Sequence, residues 1–198
     1  AGATQQSAFE VSQRAETTFE FIANENLKGV LVTRYGTATW GNGVQAIGAA
    51  GTSAIDVRRA YLDFNYPDTT IHVRACYQAV TLPNAFGGGS FILDEEVSAA
   101  VVSGAITDNV GYLVGFARAY SGLTASTNPN ADAYVAALPM TFEGFTFAPF
   151  AMYSALGTNV TTTAVKTTNL SGLLALNATD ATSGKSFDHA YWLGAAFT

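Results

Sequence analysis

Charge is scarce in this chain. Of its 198 residues only 12% are Asp, Glu, Lys or Arg, about half of the roughly 25% usual for soluble proteins. The net charge is −6, which argues against a nucleic-acid partner, whose phosphates need Lys and Arg. Cysteine is scarcer still. Cys76 stands alone, so there is no internal disulfide and no cysteine-based metal site. The two histidines, His72 and His189, lie too far apart in sequence for metal-ligand spacing. Neither a metal nor a cofactor is expected, and no nucleophile stands beside a positioned base. Long apolar runs are also missing. Although 48% of residues are hydrophobic, no run reaches the ~18 apolar residues of a membrane-crossing helix. No charge run, low-complexity block or linker divides residues 1–198, which read as one domain.

What the chain does have is alternation. Strict period-two patterning marks a half-buried strand, and a membrane-crossing strand needs only about 9–11 such residues. From Ser12, one face reads Arg14, Glu16, Thr18, Glu20 and the other Ala15, Thr17, Phe19, Phe21. After the turn Asn24-Glu25-Asn26, Lys28, Val30, Val32 and Arg34 oppose Leu31, Thr33 and Tyr35. Over residues 54–66, Arg59, Tyr61, Asp63 and Asn65 oppose Ala60, Leu62 and Phe64. Between 70 and 80, His72, Arg74, Cys76 and Gln78 oppose Ile71, Val73, Ala75 and Tyr77. Further strands are predicted over 97–106, 110–120, 131–140, 144–156 and 188–198, making nine. Residues 170–176 read as a short strand or a helix.

The arginines follow the same pattern. All six (Arg14, Arg34, Arg58, Arg59, Arg74, Arg118) fall in predicted strands, whereas Arg in soluble proteins favours exposed loops and solvent faces. Opposite them lie Phe, Leu, Tyr and Val. On a lipid face each Arg would cost ~2–4 kcal/mol at the bilayer midplane, so a water-filled lumen is the cheap location. Arg58 breaks the alternation and marks either a membrane rim or a bulge. Arg118 shares its register with Val114 and Phe116. The competing interpretation is an ordinary antiparallel sheet with solvent-facing arginines.

Connection lengths alternate as well. Short turns fall near Asn24, Pro67, Asp108 and Phe142. Long loops fall at 41–53, 82–96, 121–130 and 157–187. That rhythm belongs to outer-membrane barrels, with tight turns on one side and long external loops on the other. The loop 82–96 opens on Pro83-Asn84, carries Gly87-Gly88-Gly89 and closes on Asp94-Glu95-Glu96. An acidic loop folded opposite basic strand faces would make a charged constriction, since opposed rings of charge set selectivity in pores. The expected constriction has Asp94, Glu95 and Glu96 on the acidic side. Its basic wall is Arg14, Arg34, Arg59, Arg74 and Arg118, and Glu16, Glu20, Asp63, His72 and Gln78 also line the pore. The glycine triplet precedes no helix and is no phosphate loop.

Several short blocks carry a resemblance. Arg14 with Phe19-Glu20-Phe21, Glu25-Asn26-Leu27-Lys28-Gly29, and Val57-Arg58-Arg59-Ala60-Tyr61-Leu62 resemble the homotrimeric outer-membrane porins of sulfate-reducing bacteria. So do Gln78-Ala79-Val80-Thr81-Leu82-Pro83 and Ala137-Leu138-Pro139-Met140-Thr141-Phe142. The resemblance covers most of the chain outside its Thr-rich stretch. It implies a transmembrane antiparallel β-barrel of about sixteen strands when complete, a homotrimer in bacterial outer-membrane lipid, passing small hydrophilic solutes. Members are longer, so the chain is expected to be the amino-terminal half of such a barrel, its start at Ala1 a processed one. Adding one strand in front makes 82–96 the third external loop, where the family places its constriction. The trimer contact is expected on the lipid side, at Gly111, Leu113, Gly115 and Ala117. The alternatives are a soluble or surface-attached β-sandwich that binds or adheres and, behind it, a barrel enzyme.

Overall fold

The computed structural model describes residues 11–39, 55–85, 89–90, 92–121, 130–156 and 189–198. The predicted loops 41–53 and 157–187, the segment 170–176 and Gly87-Gly88 lie outside them. The described residues form one ten-stranded antiparallel sheet. Its strands are β1 (Ser12–Asn24), β2 (Leu27–Thr39), β3 (Ile55–Asn65), β4 (His72–Thr81) and β5 (Asp94–Thr107). They continue with β6 (Val110–Tyr120), β7 (Ala131–Ala137), β8 (Met140–Phe142), β9 (Phe145–Leu156) and β10 (His189–Phe197). Each strand pairs with the next in sequence, except that β9 lies beside β7 and the short β8 pairs with β6 and β9. Because every pairing is antiparallel, the two edge strands β1 and β10 run in the same direction.

The turns at one end are held by their own side chains. Asn24 Oδ1 accepts from the backbone N–H groups of Asn26 and Leu27, both at 2.9 Å. At the β3–β4 turn, Thr69 Oγ1 donates to Tyr66 O at 2.9 Å and accepts from Ile71 N at 3.1 Å. Thr107 Oγ1 accepts from Val110 N at 3.1 Å at the β5–β6 turn. The hairpin expected across Thr141-Phe142-Glu143 turns two residues later. Gly144, at φ +87°, supplies the left-handed conformation that favours glycine. Met140–Phe142 thereby pairs as β8, set off from β7 by Leu138-Pro139, a break that the expected strand 131–140 runs through.

The two faces of the sheet differ. Residues paired across an antiparallel ladder share a face, so one row of pairs fixes the rest. The covered face carries Val97, Ala99, Ala117, Ala133, Val135 and Met152, all buried. Leu82 and Leu93, from the two ends of the β4–β5 connection, are each 1% exposed and complete this apolar cluster. Their backbones close the connection through Leu82 N donating to Leu93 O at 3.1 Å. The opposite face exposes Phe19, Phe21, Leu62, Val114, Tyr134, Tyr191, Leu193 and Phe197.

That exposed face is bounded by two rows of aromatic rings. Phe116, Tyr134, Tyr153 and Tyr191 follow one another across β6, β7, β9 and β10 in tilted and stacked contacts, with successive centroids 5.3, 5.9 and 5.0 Å apart. Phe142, Phe145 and Phe197 form the second row, at 4.8 and 5.3 Å. On β9 the rows stand eight residues apart, from Phe145 to Tyr153, or about 27 Å along a strand.

One backbone position is costly. Cys76, mid-strand in β4, has φ +88°, a region that side chains with a Cβ rarely adopt. Cys76→Gly is expected to raise stability by roughly 1 kcal/mol, and Cys76→Val to lower it by at least as much. Unfolding midpoints of the two variants, measured side by side, check the sign of each.

Candidate functional site

The covered face divides into a charged strip on β1–β4 and an apolar groove on β4–β7. In the strip, alternation places Glu16, Glu20, Lys28, Arg34, Arg59, Asp63, His72, Arg74 and Gln78 on one side of the sheet. Opposite charges meet on neighbouring strands. Arg34 contacts Glu16 at 2.8 Å, with Arg14 4.0 Å from the same carboxylate, and Lys28 contacts Glu20 at 3.1 Å. Asp63 is the centre of the strip. Only 7% exposed, it accepts from Arg74 Nη2 at 3.1 Å and Nε at 3.3 Å, and its other oxygen lies 3.0 Å from His72 Nε2. The Arg74 guanidinium also sits 4.9 Å above the Tyr61 ring. The pairs at Glu16 and Glu20 are exposed and screened by solvent, and add little to stability. The strip therefore orders side chains more than it holds the sheet together.

Gln78 plays a structural part here. It is 2% exposed, and its Nε2 donates to the backbone carbonyls of Arg74 and Ala99, both at 3.1 Å. Those carbonyls lie two residues before Cys76 and directly across from it. The Gln78 amide thus serves backbone acceptors at the distorted point of the ladder.

Three expected placements do not hold. Asp94, Glu95 and Glu96 do not close a loop; they begin β5, paired with Thr81, Val80 and Ala79. Consecutive strand residues point to opposite faces, so the three cannot form one acidic side. Glu95 shares the covered face with Val80, while Asp94 and Glu96 lie on the other, where Thr81 Oγ1 donates to Asp94 at 2.6 Å. Arg118 also faces away from the strip. It pairs with Ser98 and Asp132 beside Phe116 and Tyr134, and its guanidinium binds Asp132 at 2.7 and 2.8 Å. The same register moves residues of the expected trimer patch to the covered face. Leu113, Gly115 and Ala117 lie on the covered face against Ser103, Val101 and Ala99, not on the exposed one.

Arg58 breaks the alternation because it is a bulge. Val32 pairs with Arg59 and Thr33 with Val57, leaving Arg58 unmatched. The adjacent Arg58-Arg59 pair is the sequence trace of that bulge. Just above it the β3–β4 ladder stops at Ala60 and Tyr77, although both strands continue. Across this seam Arg58 and Arg59 both reach Glu96 of β5, Arg59 at 3.4 Å. No alternation pattern in β3 or β5 announces that contact.

Beside the strip lies a cavity of about 520 Å³. Ala99, Val101, Leu113, Gly115 and Val135 floor it, Leu82, Pro83 and Asn84 stand at one end, and His72, Arg74 and Ser103 at the other. No known protein family matches the chain, and no characterised protein is significantly similar to it.

Proposed function

We propose that this chain forms part of an outer-membrane β-barrel channel that passes small hydrophilic solutes by diffusion. One observation carries the proposal: the same sheet sets an exposed apolar band between two aromatic rows on one face and ion-paired polar side chains on the other. In a transmembrane barrel the outer surface is an apolar band about 25 Å tall, flanked by aromatic girdles, around a polar interior. The spacing from Phe145 to Tyr153 on β9, taken at a strand tilt of about 40°, gives a height of roughly 20 Å. The charged strip from Glu16 to Arg74 would then face water in the lumen, and Leu82 and Leu93 would lie against the lumen side. Closure is proposed to need further strands, since β1 and β10 run the same way and an antiparallel closure between them takes an odd number. A porin of about sixteen strands, assembled as a homotrimer in the bacterial outer membrane, satisfies this.

A second arrangement is favoured by the apolar cluster of Val97, Ala117, Val135 and Met152, which suits a β-sandwich core. A soluble or surface-attached binding protein or adhesin would bury that face against a second sheet. The protein extracted from membranes and reconstituted in a planar bilayer distinguishes the two. The channel is expected to require detergent for extraction and to give discrete conductance steps, in threes for a trimer. A protein that stays monomeric in plain buffer and conducts nothing refutes the channel.

A further inference from the structure

We infer that the groove beside Arg74 binds small carboxylates that carry an apolar tail. The groove carries a charged side chain, Arg74, at one end only; the other end is lined by the neutral Thr81, Leu82, Pro83 and Asn84. Ala99, Val101, Leu113 and Val135 offer aliphatic surface along its length, and Leu82 with Pro83 stands over its far end. Its volume of about 520 Å³ lies within the range of roughly 300–1,000 Å³ typical of small-molecule sites. A water-filled passage has no need of such a floor.

The polar end selects the sign of the ligand. Arg74 and His72 line the groove, whereas Asp63, which contacts both, does not. Asp63 Oδ2 accepts from both Nε and Nη2 of Arg74, leaving Nη1 outside that contact. The guanidinium is held in place by Asp63 from one side and by the Tyr61 ring at 4.9 Å. An oriented arginine donates well to a planar carboxylate, and its pre-organisation lowers the entropic cost of binding. An ammonium group at this end would meet a guanidinium instead of a carboxylate. The tail runs from Arg74 over Val101 and Ala99 towards Leu82, along the β4–β5 direction.

The role of such a carboxylate as a solute rests on the channel proposed above; its binding does not. Equilibrium dialysis of the detergent-solubilised protein against hexanoate, hexanamide and propionate, with protein-free micelles subtracted, tests the site. Hexanoate is expected to bind about ten- to hundredfold more tightly than hexanamide, the difference made by a hydrogen bond to a charged group. Each methylene from propionate to hexanoate is expected to tighten binding about fourfold. Arg74→Gln is expected to remove the preference for the acid while keeping the dependence on tail length, and Arg74→Lys to keep part of the preference. Equal binding of hexanoate and hexanamide by the unaltered protein would overturn the inference, whether or not Arg74→Gln folds. Hexanoate is also expected to reduce single-channel current. Conductance without hexanoate binding refutes the groove and leaves the channel standing; binding without conductance does the reverse.

Discussion

Replacing Leu193 by arginine is expected to cost about 2–4 kcal/mol if the exposed face lies in lipid, and within about 0.5 kcal/mol if it lies in water. Leu193 is 87% exposed and sits between the aromatic rows on β10, with Tyr191 before it and Phe197 after it. In water an exposed leucine is already poorly solvated, and an arginine there costs almost nothing. At the centre of a hydrocarbon layer the guanidinium must be dragged from water. Val114→Arg on β6, at a position 47% exposed, repeats the test away from the sheet edge. Urea titration of folding into lipid vesicles measures the difference directly. Two variants as stable as the original protein would mean that this face does not meet lipid, and the aromatic rows would need another explanation.

Alternation made most of the sheet legible. Strands β1 to β6 fall within a few residues of the boundaries expected from period two, and Glu16, Arg34, Arg59, Asp63, His72, Arg74 and Gln78 share a face as expected. The reason is that a polar-apolar alternation has only one way to sit on a two-sided surface. Where both faces carry apolar residues, the alternation is silent. Along Val110–Tyr120 the small residues Gly111, Gly115 and Ala117 fit either side. Only the ladder with β5 shows that all three lie on the covered face, where Gly115 and Ala117 line the groove. The single charge in that strand, Arg118, was equally ambiguous, because a strand end beside Asp132 accommodates it on either face.

The acidic cluster departs from its expected loop for a different reason. Asp94-Glu95-Glu96 follows a glycine-rich connection, and acidic triplets ordinarily mark solvated turns. What draws these residues into β5 is pairing with Ala79, Val80 and Thr81, together with two arginines that arrive from β3. The Arg58 bulge shifts the register so that Arg58 and Arg59 both reach Glu96. Bulges are not written in any period, so the partner of Glu96 can be found only once the strands are laid side by side. Cys76 was equally hidden. Its register with Arg74 and Gln78 is the one expected, but its left-handed backbone leaves no mark on the composition of the strand.

Replacing Gln78 by leucine is expected to destabilise the sheet by about 2–4 kcal/mol, although the exchange makes a polar side chain apolar in an apolar setting. Leucine fills similar space next to Val97 and Ala99, so little cavity forms. The loss is of donors. Gln78 Nε2 serves the carbonyls of Arg74 and Ala99, and each buried acceptor left without a donor costs about 1–3 kcal/mol. Water cannot easily replace the amide at a position 2% exposed. The cost should be tied to the distortion at Cys76, because those two carbonyls flank it. A double-mutant cycle between Gln78→Leu and Cys76→Gly tests the link. If glycine lets the backbone relax towards an ordinary ladder, β4 and β5 can pair without the amide. The double variant should then recover part of what Gln78→Leu lost, with a coupling of about 0.5–3 kcal/mol. Strict additivity would mean that the amide and the left-handed residue act independently, and that the kink at Cys76 has another cause.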